Sequence, residues 1–103
     1  MNLADFEDID WDDEDDEEGN LAHCLRHRVD ERVVYEVLSE EPVEITIALD
    51  TTEFAICGPD CGGTFWTILF RTSHKRGDWL RPVTGWVAKA DEVREWKLGK
   101  GRT

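Results

Sequence analysis

The apolar pattern of this chain changes period at Pro42, and that change limits the fold more than any other feature. Before it, Leu21, Cys24, Leu25 and Val29 recur at the three-and-four spacing of a buried helical stripe. Asp30 then reads as the N-cap of a second short helix that buries Val33, Val34, Val37 and Leu38 along one face. After Pro42 the period is two. Val43, Ile45, Ile47 and Leu49 alternate with Glu44, Thr46, Ala48 and Asp50, the pattern of a half-buried strand. "EFAIC" (53–57) predicts a second strand closed by the turn "GPDCGG", and "TFWTILFRT" (64–72) a third, rich in aromatic and β-branched residues. "WLRPVTGW" (79–86) follows the turn "SHKRGD" as a fourth. Pro82 cannot donate to a ladder, so this strand lies at an edge or carries a bulge there. A helix over 89–98 turns Val93 and Trp96 inward, and 99–103 form a frayed tail.

The expected fold is therefore α+β: two N-terminal helices, a four-stranded antiparallel meander and a C-terminal helix, with the helices on one face of the sheet. Residues 11–98 make one compact domain, in keeping with a length of 103 residues. Residues 1–10 are a flexible acidic lead or a short edge strand. Near Asp12 a helix can begin, since carboxylates in a first turn complement its positive end.

Charge is unevenly spread. The net charge is −12, yet residues 1–20 alone hold eleven acids and no base, while residues 71–103 hold nine bases against four acids. The acidic run lacks the Gly-punctuated spacing of a calcium loop, so it reads as a solvated segment leading into a helix. A sharper alternative has this head folding over the basic C-terminal third and competing there with an anionic ligand. No run of about 18 apolar residues spans a membrane. The acidic start does not suit a secretory or mitochondrial leader, and three cysteines leave an odd thiol, so reduced cysteines and a cytoplasmic location are expected.

"LAHCLRHRV" (21–29) puts His23 and His27 on one helix face, and "CGPDC" sets Cys57 and Cys61 at the same spacing. Together these four residues could make a tetrahedral zinc site, but a thiolate pair more often has two intervening residues. Two surface histidines, a core Cys24 and two turn cysteines account for the same residues, and no metal or other cofactor is expected. Arg71, His74, Lys75, Arg76 and Arg81 cluster about the 72–79 turn. Pairing of 64–72 with 79–84 brings Arg71 near Arg81, and guanidiniums beside Trp66, Trp79 and Trp86 suit a phosphate backbone with stacked bases. An ordinary charged hairpin over a Trp-rich core fits as well. No Ser-His-Asp order, P-loop or dinucleotide fingerprint is present.

Two segments together resemble the BrnT-like toxin family. "DIDWDDEDDEEGNLAHCLRHRVDERVVYEVL" looks like its opening, a Trp-Asp start leading to a helix that ends in Arg/Lys-His-Gly-Val. "GGTFWTILFRTSHKRGDWLRPVTGWVAKADEVREW" is similar to its closing half, a hairpin leading to Arg-Pro/Val-Ile/Val-Thr-Ala/Gly and a helix rich in Glu and Arg. The resemblance spans about residues 9–97 and implies a RelE-like fold of a type II toxin–antitoxin module. It also implies ribonuclease activity that blocks translation, and a cognate antitoxin whose complex binds its own promoter DNA. It places His27 at the family histidine, Arg26 at the preceding basic position, Arg81 at the strand arginine and Thr84 at the motif threonine, with Trp86 where the strand hands over to the last helix. Arg28 stands where the family has glycine.

On that reading His27 is the base or acid, Arg71 and Arg81 hold the phosphate, and Glu36 is a second acid/base candidate. Arg26, Lys75, Arg76, Thr84 and Trp86 would touch RNA. The contrasting reading is a non-catalytic module of the same fold whose acidic N-terminal segment engages a basic partner protein.

Overall fold

The computed structural model describes residues 8–13, 15–45, 54–73 and 79–100. The elements run β1 (Asp8–Ile9), α1 (Asn20–Arg26), α2 (Glu31–Ser39), β2 (Val43–Ile45), β3 (Phe54–Pro59), β4 (Phe65–Thr72), β5 (Trp79–Val87) and α3 (Ala90–Lys100). They build one sheet in the order β1-β5-β4-β3-β2.

The helix starts and stops follow from local chemistry. Asp30 caps α2, its carboxylate accepting from the Val33 N–H at 2.8 Å. Helix α1 ends in a Schellman turn, in which Val29 N–H donates to Cys24 O at 2.9 Å and Arg28 N–H to Leu25 O at 3.0 Å. Arg28 takes the left-handed position this turn needs, at φ 68°. Val29 is thereby buried, and it packs against β5 because Gly85 has no side chain. A Cβ there would lie 2.8 Å from Thr67 O and 3.0 Å from Val29 Cγ2.

Alternation along β3 and β4 sends successive side chains to opposite faces. Ile56, Trp66, Ile68 and Phe70 join Cys24, Val29, Val33, Val34 and Val37 in one core, under α1 and α2. Ala55, Cys57 and Leu69 form a second core with Ile45, which Phe65, Trp86 and Trp96 of α3 cover in part. Between β4 and β5 the register slips, Leu69 facing Thr84 and Phe70 facing Pro82. Val83 is the extra residue of that bulge, sited where Pro82 interrupts the ladder.

The expected four-stranded antiparallel meander, and with it the RelE-like fold class, is corrected: the sheet has five strands and is mixed. The added strand is β1, parallel to β5 with Asp8 opposite Trp79 and Ile9 opposite Leu80. A short edge strand is one of the two expectations for residues 1–10, and the row of acids argues against its burial, because burying a carboxylate is costly unless donors meet it. Here they do. Asp10, 6 % exposed, accepts from Ser73 Oγ at 2.6 Å, and its N–H donates to Leu80 O at 2.6 Å.

Three further expectations also change. The helices lie on both faces of the sheet, α3 opposite α1 and α2. Helix α1 begins at Asn20, not near Asp12, because aspartate side chains satisfy backbone N–H groups in turns instead: Asp13 Oδ1 accepts from Asp15 N–H and Asp16 Oδ1 from Glu18 N–H. The expected strand at 43–50 is seen as Val43–Ile45, and its residues 46–50 lie outside the described residues. Helix α3 runs to Lys100, two residues beyond the expected end.

Candidate anion-binding cleft

Where β1 stops, the outer edge of β5 meets the start of α1, and a cleft of about 300 Å³ opens between them. Glu18, His23 and Arg26 approach from the α1 side, Arg71 from β4, and Arg81, Pro82 and Val83 from β5. The antiparallel register sets Arg71 directly opposite Arg81. Three guanidiniums thus line the cleft with one lining carboxylate, Glu18, while Asp12 and Asp10 pair with Arg81, so Arg26 and Arg71 carry the attraction for an anion.

Asn20 is the joint that fixes this geometry. Its Nδ2 donates to Asp10 O at 2.8 Å and to Pro82 O at 3.0 Å, tying the N-terminal segment to β5 at the proline. Its Oδ1 accepts from Asp12 N–H at 2.8 Å, and its own N–H donates to Asp12 Oδ2 at 2.9 Å. Asp12 in turn faces Arg81 with both oxygens, Nη1 to Oδ1 at 3.0 Å and Nη2 to Oδ2 at 2.5 Å. Asp10 Oδ2 adds a longer contact to Arg81 at 3.4 Å. The hydrogen bonds that Arg81 donates to Asp12 raise it above the ordinary guanidinium range and hold it as a cation. Cys24 lies within the field of the same arginine, yet burial dominates and pushes its thiol up to about 11.

The other two arginines are differently placed. Arg26 Nη2 donates to Glu17 O at 2.7 Å, which steadies it at the cleft wall. Arg71 Nε is buried and has no hydrogen-bond partner among the described residues.

Of the residues expected to act, Arg26, Arg71 and Arg81 are brought together. His27 is not among the lining residues; it is the C-cap of α1, and His23 occupies the cleft wall with its ring centroid 5.0 Å from that of His27. Glu36 is engaged elsewhere, bonded to Arg32 at 2.8 Å and to Cys61 N–H at 3.0 Å. The Arg32 bond holds its carboxyl below the usual range. Thr84 and Trp86 also lie away from the cleft. Trp86 Nε1 donates to Glu92 at 3.0 Å, in the core beneath α3. Lys75 and Arg76 lie outside the described residues.

The four residues of the alternative zinc site do not converge. Cys57 is buried in the α3-side core, whereas His23 and His27 belong to α1 on the other face. Cys61 is exposed in the β3–β4 turn. Among the described residues, no group of three or more His, Cys, Asp or Glu is arranged to hold a metal ion. No helix of the described residues is long and apolar enough to cross a membrane.

Sequence reasoning missed the roles of Asp10, Asp12, Asn20 and Glu18. The one signal available was the alternative in which the acidic head folds over the basic C-terminal third. Comparison with protein-family models, with curated proteins and with solved structures finds no match to this chain.

Proposed function

We propose that the chain is a metal-independent ribonuclease of the toxin type, which cuts RNA to block translation in the cytoplasm and is neutralised by a cognate antitoxin protein. The antitoxin complex is the form that would meet promoter DNA. The observation that carries this reading is the convergence of His23 and Arg26 of α1 with Arg71 of β4, distant in sequence, on one cleft; the resemblance to BrnT-like toxins supports it. Arg71 and Arg26 receive the phosphodiester and offset the charge that builds on the phosphorane. An imidazole takes the proton of the 2′-OH as that oxygen attacks phosphorus. The bond to the 5′-oxygen breaks, an acid returns a proton to it, and a 2′,3′-cyclic phosphate and a 5′-OH remain. His23 replaces His27 as the group facing the phosphate, with His27 as the second imidazole; Glu36 has no part in it.

A different observation favours a non-catalytic protein-binding module. Asp13, Asp15, Asp16, Glu17 and Glu18 are all exposed, on a stretch pinned by its own aspartate turns and anchored at Asp12 and Asn20. Such a stretch suits a basic partner. Induced expression of wild type and of His23→Ala/Arg71→Ala in a bacterial host separates the two. The ribonuclease reading expects growth arrest and loss of RNA integrity, both relieved by the double change. Unhindered growth with intact RNA, at verified soluble expression, would leave the binding module.

A further inference from the structure

The cleft holds three arginines, but one of them already has an anion. Asp12 meets Arg81 through two nearly parallel N–H···O contacts, 3.0 and 2.5 Å, the fork-to-fork geometry in which a guanidinium also receives phosphate. We infer that the Asp12 carboxylate is a built-in competitor for this anion site, occupying on Arg81 the place a ligand phosphate would take. The inference rests on the cleft reading above and names its regulation.

Three observations carry it. Arg81 is a cleft-lining residue that keeps 24 % of its side-chain exposure, so an incoming anion can reach it. Asp12 keeps 17 %, against 8 % for Asp10, so Asp12 is the more accessible of the two carboxylates on Arg81. Asp10 is held by Ser73 and belongs to the fold whether or not Asp12 stays. Directly across the ladder, Arg71 lines the same cleft. An anion bound first at Arg71 is therefore placed to displace Asp12 and bridge both arginines. Until then, Asp12 keeps the pair from acting together, and the cleft is held at a lower affinity than its arginines would give.

The test uses the full chain and pyrophosphate as the probe, titrated calorimetrically. Asp12→Asn retains an oxygen to accept from the Asn20 N–H but removes the negative charge that faces Arg81. It should bind pyrophosphate roughly tenfold more tightly than wild type, the difference between a charge-assisted and a neutral hydrogen bond. Asp13→Asn changes net charge equally at an exposed neighbour and should shift affinity less than about twofold. In Arg81→Ala the gain from Asp12→Asn should vanish.

Equal affinity of Asp12→Asn and Asp13→Asn would overturn the inference, as would a gain that persists without Arg81, or no binding by Asp12→Asn at all. If Asp12→Asn does not fold, the wild type decides the matter by carbon NMR. The Asp12 carboxylate signal should move as pyrophosphate saturates the shift of Arg71, and an unmoved signal would count against displacement. Pyrophosphate binding does not depend on RNA cleavage, so intact RNA in the expression experiment would remove the ribonuclease reading and leave this one standing.

Discussion

Arg28 carries a local cost that the rest of α1 absorbs. Its φ of 68° is a conformation that favours glycine, and it is kept because the Schellman bonds of Val29 and Arg28 close the helix only in that geometry. Arg28→Gly should therefore stabilise the chain by about 0.5–1 kcal/mol, the strain relieved less the extra freedom glycine brings to the unfolded state. The melting midpoint should rise by a few degrees, as a differential scanning calorimetry trace would show. A lower midpoint would mean that the Arg28 side chain makes a compensating contact. Asp12 is the opposite case. Among eleven acids in twenty residues nothing in its neighbourhood distinguishes it, yet its two oxygens serve Asn20 and Arg81 together. A contact made 69 positions away has no local period to betray it.

The β3–β4 turn is closed by one carboxylate. Asp60 accepts from Trp66 Nε1 at 3.0 Å, Gly62 N–H at 2.9 Å and Thr64 N–H at 3.0 Å. The Trp66 bond first, then the backbone donors, lower its pKa below the ordinary carboxylate value. A depressed folded pKa contributes stability that is complete above the unfolded value, near 4, and is lost as pH falls through the folded one. Wild type should thus exceed Asp60→Asn in urea stability at pH 7, and the gap should close as pH drops below about 4. A gap independent of pH would show that the charge contributes nothing. Strands β3 and β4 were legible from their runs of apolar, β-branched and aromatic residues, which cores on both faces of the sheet demand. The pairing of Arg71 with Arg81 followed from the β4–β5 hairpin. The side on which α3 packs was not legible, since Val93 and Trp96 say only that a face is buried, not against which side of the sheet. Nor was the choice of His23 over His27, which depends on how α1 is rotated about its axis.

Across the whole molecule the three thiols report on packing. Burial pushes Cys24 and Cys57 up to about 11, one in each core, while Cys61 is exposed in its turn. The folded chain should yield one equivalent to a disulfide reagent at pH 8, and three in denaturant. Two or more in the native state would show that a core opens on the timescale of the reaction. The sheet order also has a consequence in time. Strand β1 pairs with a strand that follows it by most of the chain, and Asp10 and Arg81 are 71 residues apart. During synthesis the N-terminal acids emerge early and find their partner only after β5 has left the ribosome. Until then α1 has neither its Asn20 joint to Pro82 nor its floor at Gly85. The arginine cleft is thus completed only after β5 has paired, when Arg81 meets the carboxylate that occupies it, and a truncated chain ending before residue 79 keeps Asp12 but lacks Arg81.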